Sequence, residues 1–263
     1  MGKVPAGLGW LWLKEGFALF RKQPFETSTL FLSYLFLMFA VGIVPLLGQI
    51  LPILLIPVFS MAFMQACVQI ESGKKVYPSL LLTGFRSPAF MKLVQLGVLY
   101  IVAAIVAVAA SALVDGGVFW QIMTGQATLD PQTVRGSNMS LAMIVAAIIY
   151  TPAAMAFWYA APLIMWQKMD VFKAIFYSFF AVKRAGKAFF IYAAAWILIG
   201  VLLPSIVSSI IGLLLGRSTV MLVLFPLSLI MTVVMYCSFY PTYTHIFGRP
   251  HGTTPAMALP PAD

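Results

Sequence analysis

Six apolar runs, each the length of a bilayer crossing, constrain this chain more than any other feature. They cover residues 28–47, 50–70, 91–114, 141–166, 188–211 and 220–240. At 1.5 Å of rise per helical residue, each reaches across about 30 Å of hydrocarbon. Lipid offers backbone amides no partner, so such a run must satisfy its own polar groups, which a helix does within one segment. A soluble core could not absorb them: 62% of the 263 residues are hydrophobic and 9% are charged, where soluble domains carry roughly a quarter charged. The reading is an all-α integral membrane protein with six transmembrane helices, a single membrane domain over residues 1–247. A disordered cytoplasmic tail is expected from 248 to 263, where Pro250, Pro255, Pro260 and Pro261 fall. No short apolar segment closed by Ala-x-Ala precedes the first run, which is therefore expected to remain as an anchor.

Only Gly48 and Gln49 separate the first two runs, beside Pro45 and Pro52. This predicts a tight helical hairpin, a re-entrant pair being the alternative. With six spans, all but two of the 16 Lys and Arg fall on one side of the membrane, the exceptions being Arg135 and Arg217. Basic residues of short loops stay in the cytoplasm, so both termini are expected there. The formal charge of +9 then reflects topology and does not point to nucleic acid.

Three of the spans follow short segments rich in aromatic and basic residues. In the first, Trp12, Leu13, Gly16, Phe17 and Phe20 share one side of a helical wheel, and Lys14, Glu15, Ala18, Arg21 and Lys22 the other. In the third, Asp170 stands at the N-cap position. Val171, Phe172, Ile175, Phe176, Phe179 and Val182 make the apolar stripe there, with Lys173, Tyr177, Ala181 and Arg184 facing away. The middle segment, residues 78–85, is shorter and less charged. Each leads through a base and a helix breaker to Phe at the mouth of a span: Arg21 to Phe25, Arg86 to Phe90, Lys183 to Phe189. Every even-numbered span also carries a proline, Pro57, Pro152 or Pro226, about 14 residues before its cytoplasmic end. The expected architecture is three hairpins in the same orientation, each preceded by an amphipathic interfacial helix.

Catalysis requires positioned titratable groups, and no Asp, Glu, Lys, Arg or His lies inside a span; Glu71 and Lys92 sit at span ends. His245 and His251 have no Cys or carboxylate at ligand spacing, and Cys67 and Cys237 fall in apolar runs as small hydrophobes. The expectation is therefore no catalytic, cofactor-binding or metal-binding residue, and no enzyme. Polarity within the spans is amide and hydroxyl: Gln65, Gln69, Gln95, Tyr150, Ser228 and Tyr236 either bond neighbouring helices or line a polar path. Pro57, Pro152, Pro162, Pro204 and Pro226 are expected to kink their helices, with a cavity or mere shape as the result. The basic belt of Arg21, Lys22, Arg86, Lys183, Arg184 and Lys187 has an obvious physical partner, since each base near an anionic leaflet gains ~1 kcal/mol; enforcing topology is its other use. Gly212-x-x-x-Gly216 permits close helix contact, which leaves room for a protein partner or a homo-oligomer without establishing either.

Two functions fit these features. One is a non-enzymatic membrane protein that organises anionic lipids or partner proteins. The other is a transporter or channel for a neutral or amphipathic solute.

The opening residues 9–24, Gly-Trp-Leu-Trp-Leu-Lys-Glu-Gly-Phe-Ala-Leu-Phe-Arg-Lys-Gln-Pro, together with Leu46-Leu47-Gly48 and Pro78-Ser79-Leu80, resemble an uncharacterised family of beta-proteobacterial inner-membrane proteins over nearly the whole chain. That resemblance implies a bacterial inner membrane and six helices. More distantly, the pattern from Val171 to Phe189 is similar to the membrane domain attached to some glycerophosphoryl diester phosphodiesterases. The acidic metal-binding motifs of their catalytic domain have no counterpart here, so the likeness implies no activity.

Overall fold

Three helical hairpins make up the computed structural model, which describes residues 4–44, 47–126 and 138–250; among these every regular element is helical. In chain order they are α1 Leu8–Lys22, α2 Pro24–Gly42, α3 Leu47–Glu71, a 3-10 turn Pro78–Leu82, α4 Phe90–Asp115 and α5 Val118–Met123. There follow α6 Met139–Phe157, α7 Ala160–Trp166, α8 Val171–Arg184, α9 Gly186–Ile197, a π-helical turn Leu198–Leu202, α10 Leu203–Leu215 and α11 Arg217–Phe247. Six stretches are long and apolar enough to cross a membrane: Pro24–Gly42, Ile50–Glu71, Phe90–Asp115, Met139–Trp166, Gly186–Leu214 and Thr219–Phe247. The residues from 251 onward, and Asp130, Pro131 and Arg135 of the long loop, lie outside the described part.

Helices α2 and α3 form the first hairpin, and each is long and apolar enough to cross a membrane. The Gln23 side chain, at the start of α2, donates to the Lys74 carbonyl (2.8 Å) and accepts from the Val76 N–H (3.0 Å), just beyond the end of α3. Ion pairs gather at this same end of the bundle, Lys92 with Asp170 and Arg249 with Glu71, and His245 lies near Glu15 there. It is called the charged end below.

Of the five prolines expected to kink their helices, two stand at interruptions in the helical run. Helices α3, α6 and α11 run unbroken through Pro57, Pro152 and Pro226. Breaks coincide only with Pro162, where α6 stops and α7 restarts after Trp158 and Tyr159, and with Pro204, which follows the π-turn. Each of these prolines lacks the N–H that would bond a carbonyl one turn earlier, and its ring crowds that carbonyl, so the helix widens or restarts there.

Small residues decide where the interfacial helices dock. Helix α1 buries Gly9, Trp12, Leu13, Gly16, Leu19 and Phe20, whereas Phe17, expected beside Trp12, is 42% exposed. Helix α8 buries Val171, Ala174, Ser178 and Val182 and turns Phe172, Phe176 and Phe180 outward. Its protein-facing side is thus the small one, because short side chains let helix backbones approach closely. The middle segment forms only a 3-10 turn: Pro78 and Pro88 bracket too few residues to nucleate an α-helix. Asp170 occupies the N-cap of α8 in extended conformation, but its carboxylate accepts from Lys92 Nζ at 2.5 Å and bonds no helix amide.

The packing order is cyclic. The 3-10 turn rests on α2 and α3, the hairpin before it; α8 rests on α6 and α7, again the preceding hairpin. Helix α1 lies instead across α9 and α11 of the last hairpin and so closes the ring. The even-numbered spans meet inside. There Cys67 Sγ of α3 lies 3.9 Å from the Cys237 carbonyl of α11, and Trp166 of α7 stands edge-on to Tyr240 and Tyr243.

Candidate functional site: an apolar cavity between helices

The cavity originates in a contact that is not made. Helices α6 and α9 are neighbours in the ring, yet they hardly touch: α8 sits against α6 and α7, α1 holds α9 against α11, and a gap remains between them. It encloses about 880 Å³, walled by α3, α4, α6, α9 and α11. The walls are aromatic and aliphatic. Tyr236 stacks on Phe63 at 4.3 Å, and Tyr100 stacks on Phe157 at 4.5 Å while its hydroxyl donates to the Phe157 carbonyl at 3.2 Å. Tyr192 is fixed by a 2.6 Å hydrogen bond to Ser238.

The α8 side of the cavity is set by one buried serine. Ser178 Oγ accepts from the Tyr159 N–H and donates to the Met155 carbonyl, both at 2.9 Å. It bridges the interruption between α6 and α7 and ties α8 to it. Behind it, Trp12 and Trp158 pack on Phe189 with centroids 5.2 and 5.3 Å apart. The indole N–H groups of Trp158 and Trp196, both on cavity-lining residues, are buried with no acceptor among the described residues.

Of the six side chains read as a polar path, the structure brings two to the cavity, Tyr150 and Tyr236, and neither hydroxyl bonds another described residue. At 3.6 residues per turn, Gln65 and Gln69 fall on the side of α3 away from Ser60 and Phe63, which line the cavity. Gln95 is exposed on α4, and Ser228 is exposed on α11 with its hydroxyl on the Phe225 carbonyl at 2.7 Å. Sequence reading passed over Ser60, Tyr100, Tyr192 and Trp196. No signal in the chain separates an aromatic that lines a cavity from one that fills a core.

Arg21, Lys22, Arg86, Lys183, Arg184 and Lys187 are all exposed. Lys183 follows Val182 and Lys187 follows Gly186, and these two neighbours line the cavity where it nears the charged end. Two exposed bases thus follow lining residues in the chain at this end, while the lining itself carries no Lys or Arg. Nearby, the Lys92 ammonium, by its hydrogen bond and its charge, holds the Asp170 carboxyl below the usual carboxylate range.

A second, smaller recess of about 370 Å³ opens at the charged end between α1, α3 and α11. Glu71 accepts from the Tyr240 hydroxyl at 2.8 Å and from Arg249 at 3.4 Å, and His245 stands 3.7 Å from Glu15. These residues are so distant in the chain that their meeting is invisible to spacing. Among the described residues no group of three or more His, Cys, Asp or Glu is placed to hold a metal ion.

Six bilayer-length helices around a cavity of apolar walls define an all-α, multi-pass integral membrane protein. The chain is 37% identical over 251 residues to a protein of Burkholderia thailandensis named a probable inner membrane protein, an overlap of 94% of this chain and 93% of the relative. It belongs to the family of that protein. No protein-family description and no solved structure matches the chain, so the likeness to the phosphodiesterase membrane domain has no support.

Proposed function

We propose that this chain is a non-enzymatic protein of the bacterial inner membrane, with both termini cytoplasmic, that gathers anionic lipid around its charged end. The observation carrying this reading is the outward side of α8. Phe172, Phe176 and Phe180 form an exposed ridge on successive turns, 78%, 61% and 49% accessible, beside Lys173, Lys183 and Arg184. Aromatic rings that seat in the acyl boundary next to bases that reach the headgroups are the makings of a membrane-surface helix, and each base contributes ~1 kcal/mol on an anionic leaflet. The relative's inner-membrane name supports the location, and a cavity lining without Asp, Glu, Lys, Arg, His or Cys supports a role without catalysis.

The test is extraction in polymer nanodiscs with mass spectrometry of the retained lipid. Replacing Arg21, Lys22, Lys183, Arg184 and Lys187 with Gln is expected to remove most of the enrichment of anionic over zwitterionic lipid. An unchanged lipid profile around a correctly inserted variant would sink the proposal. A protein or second copy that co-purifies in stoichiometric amount would name the organised partner. The cavity itself favours a second reading, transport of a neutral or amphipathic solute; reconstituted protein without flux over a broad solute panel would count against it.

A further inference from the structure

We infer that the central cavity holds one acyl chain of an anionic phospholipid from the leaflet at the charged end, with its headgroup on Lys183 and Lys187. This deepens the proposal above and rests on its reading of the charged end as lipid-facing.

Four observations converge on that occupant. The first is depth. Along α9 the wall runs from Gly186 to Trp196, about 15 Å at 1.5 Å per residue, which is half of a ~30 Å hydrocarbon core. The second is access. Thr151, Phe190 and Ala193 line the cavity yet are exposed on the outer surface, so it opens sideways between α6 and α9, and a chain can enter without leaving the bilayer. The third is charge. Lys183 and Lys187 are exposed and follow the lining residues Val182 and Gly186 in the chain, and a side chain built at Gly186 would meet nothing within 4 Å, so the bases stand outside the cavity at an end left open. The fourth is chemistry. The volume of about 880 Å³ lies within the roughly 300–1,000 Å³ of ligand sites, and apart from a few hydroxyls and the indole N–H groups of Trp158 and Trp196 the lining side chains are apolar. A methylene chain loses nothing there, and the phosphate keeps its place in the headgroup layer.

The experiment uses the full chain in phosphatidylcholine nanodiscs with graded amounts of phosphatidylglycerol carrying a photoactivatable diazirine on one acyl chain. Adducts are mapped by peptide mass spectrometry. The expected result is a set of adducts on the peptides around Ala154 and Ala193 that saturates at low mole fraction. Unlabelled phosphatidylglycerol should displace it and phosphatidylcholine should not. Ala193→Trp, which fills the cavity, should lower these adducts at least tenfold while leaving those at the outer positions Phe36 and Leu113 unchanged; Ala154→Phe, on the facing wall, serves if the first variant fails to insert. Lys183→Gln with Lys187→Gln should abolish the preference for phosphatidylglycerol.

Adducts that rise in proportion to mole fraction, spread over the outer faces and compete equally with either lipid would overturn the inference. A chain that enriches phosphatidylglycerol in its disc without a saturable cavity adduct overturns the cavity site and leaves the belt standing. A saturable adduct without enrichment does the reverse.

Discussion

Gly9 and Gly16 of α1 stand two turns apart and fix where this helix can lie. A Cβ at Gly9 would run into the Ala188 carbonyl and the Tyr192 nitrogen, and one at Gly16 into the Ser238 backbone. These are backbone collisions, so no rotamer change relieves them. Gly16→Ala is expected to cost about 1–3 kcal/mol, as overpacking of a close-fitted contact does, seen as a lower thermal midpoint of the detergent-solubilised protein. Gly7→Ala, whose new carbon meets nothing within 4 Å, is the matched control and should melt like the parent. Equal midpoints for both variants would remove α1 from its dock. The sequence placed Gly16 on the apolar side of the helix, which is correct, but a wheel names a face and never the surface that face will meet.

At the scale of elements, what was legible is what lipid enforces. The six spans stood out because an unbroken apolar run is the only way to cross hydrocarbon, while their edges moved for local reasons. The first span opens at Pro24, a residue suited to the first turn of a helix, and ends at Gly42 instead of 47. The last continues past 240 to Phe247, where Tyr240 and Tyr243 are buried among α3 and α7. The cavity was not legible, because it results from α6 and α9 failing to pack, and a missing contact between distant elements leaves no mark on either. Ser178 tests how α8 supports that wall. Ser178→Ala strips the Tyr159 N–H and the Met155 carbonyl of their bridging partner at a helix break, so a loss of about 1–3 kcal/mol is expected. Faster amide exchange at Tyr159 should accompany it, and an unaltered exchange rate would show that the bridge does not hold the joint.

At the scale of the whole molecule, the hairpins put α1, the segment after α3 and the end of α11 together, with α5 at the opposite end. Both native cysteines, Cys67 and Cys237, are buried, so the parent protein should be silent to thiol reagents. Gly7→Cys and Lys75→Cys are expected to react with a membrane-impermeant maleimide only in inverted vesicles, and Gln126→Cys only in intact spheroplasts. Labelling of Gly7→Cys from the outer face would invert the proposed orientation and move the basic belt to the wrong leaflet.

The cyclic packing also sets an order of assembly. Helix α1 is synthesised before the surface it docks on, which runs from Ala188 to Ser238, the last of it about 220 residues later. At roughly 5–20 residues per second, α1 waits on the order of 10–45 s without a partner. Its outer residues suit that wait: Trp10, Phe17, Lys14 and Arg21 can hold a lone amphipathic helix at the membrane surface until α9 and α11 arrive to cover Trp12 and Phe20. A chain halted before Ser238 would never offer that cover, so an undocked α1 marks an unfinished molecule and a docked one marks a completed ring.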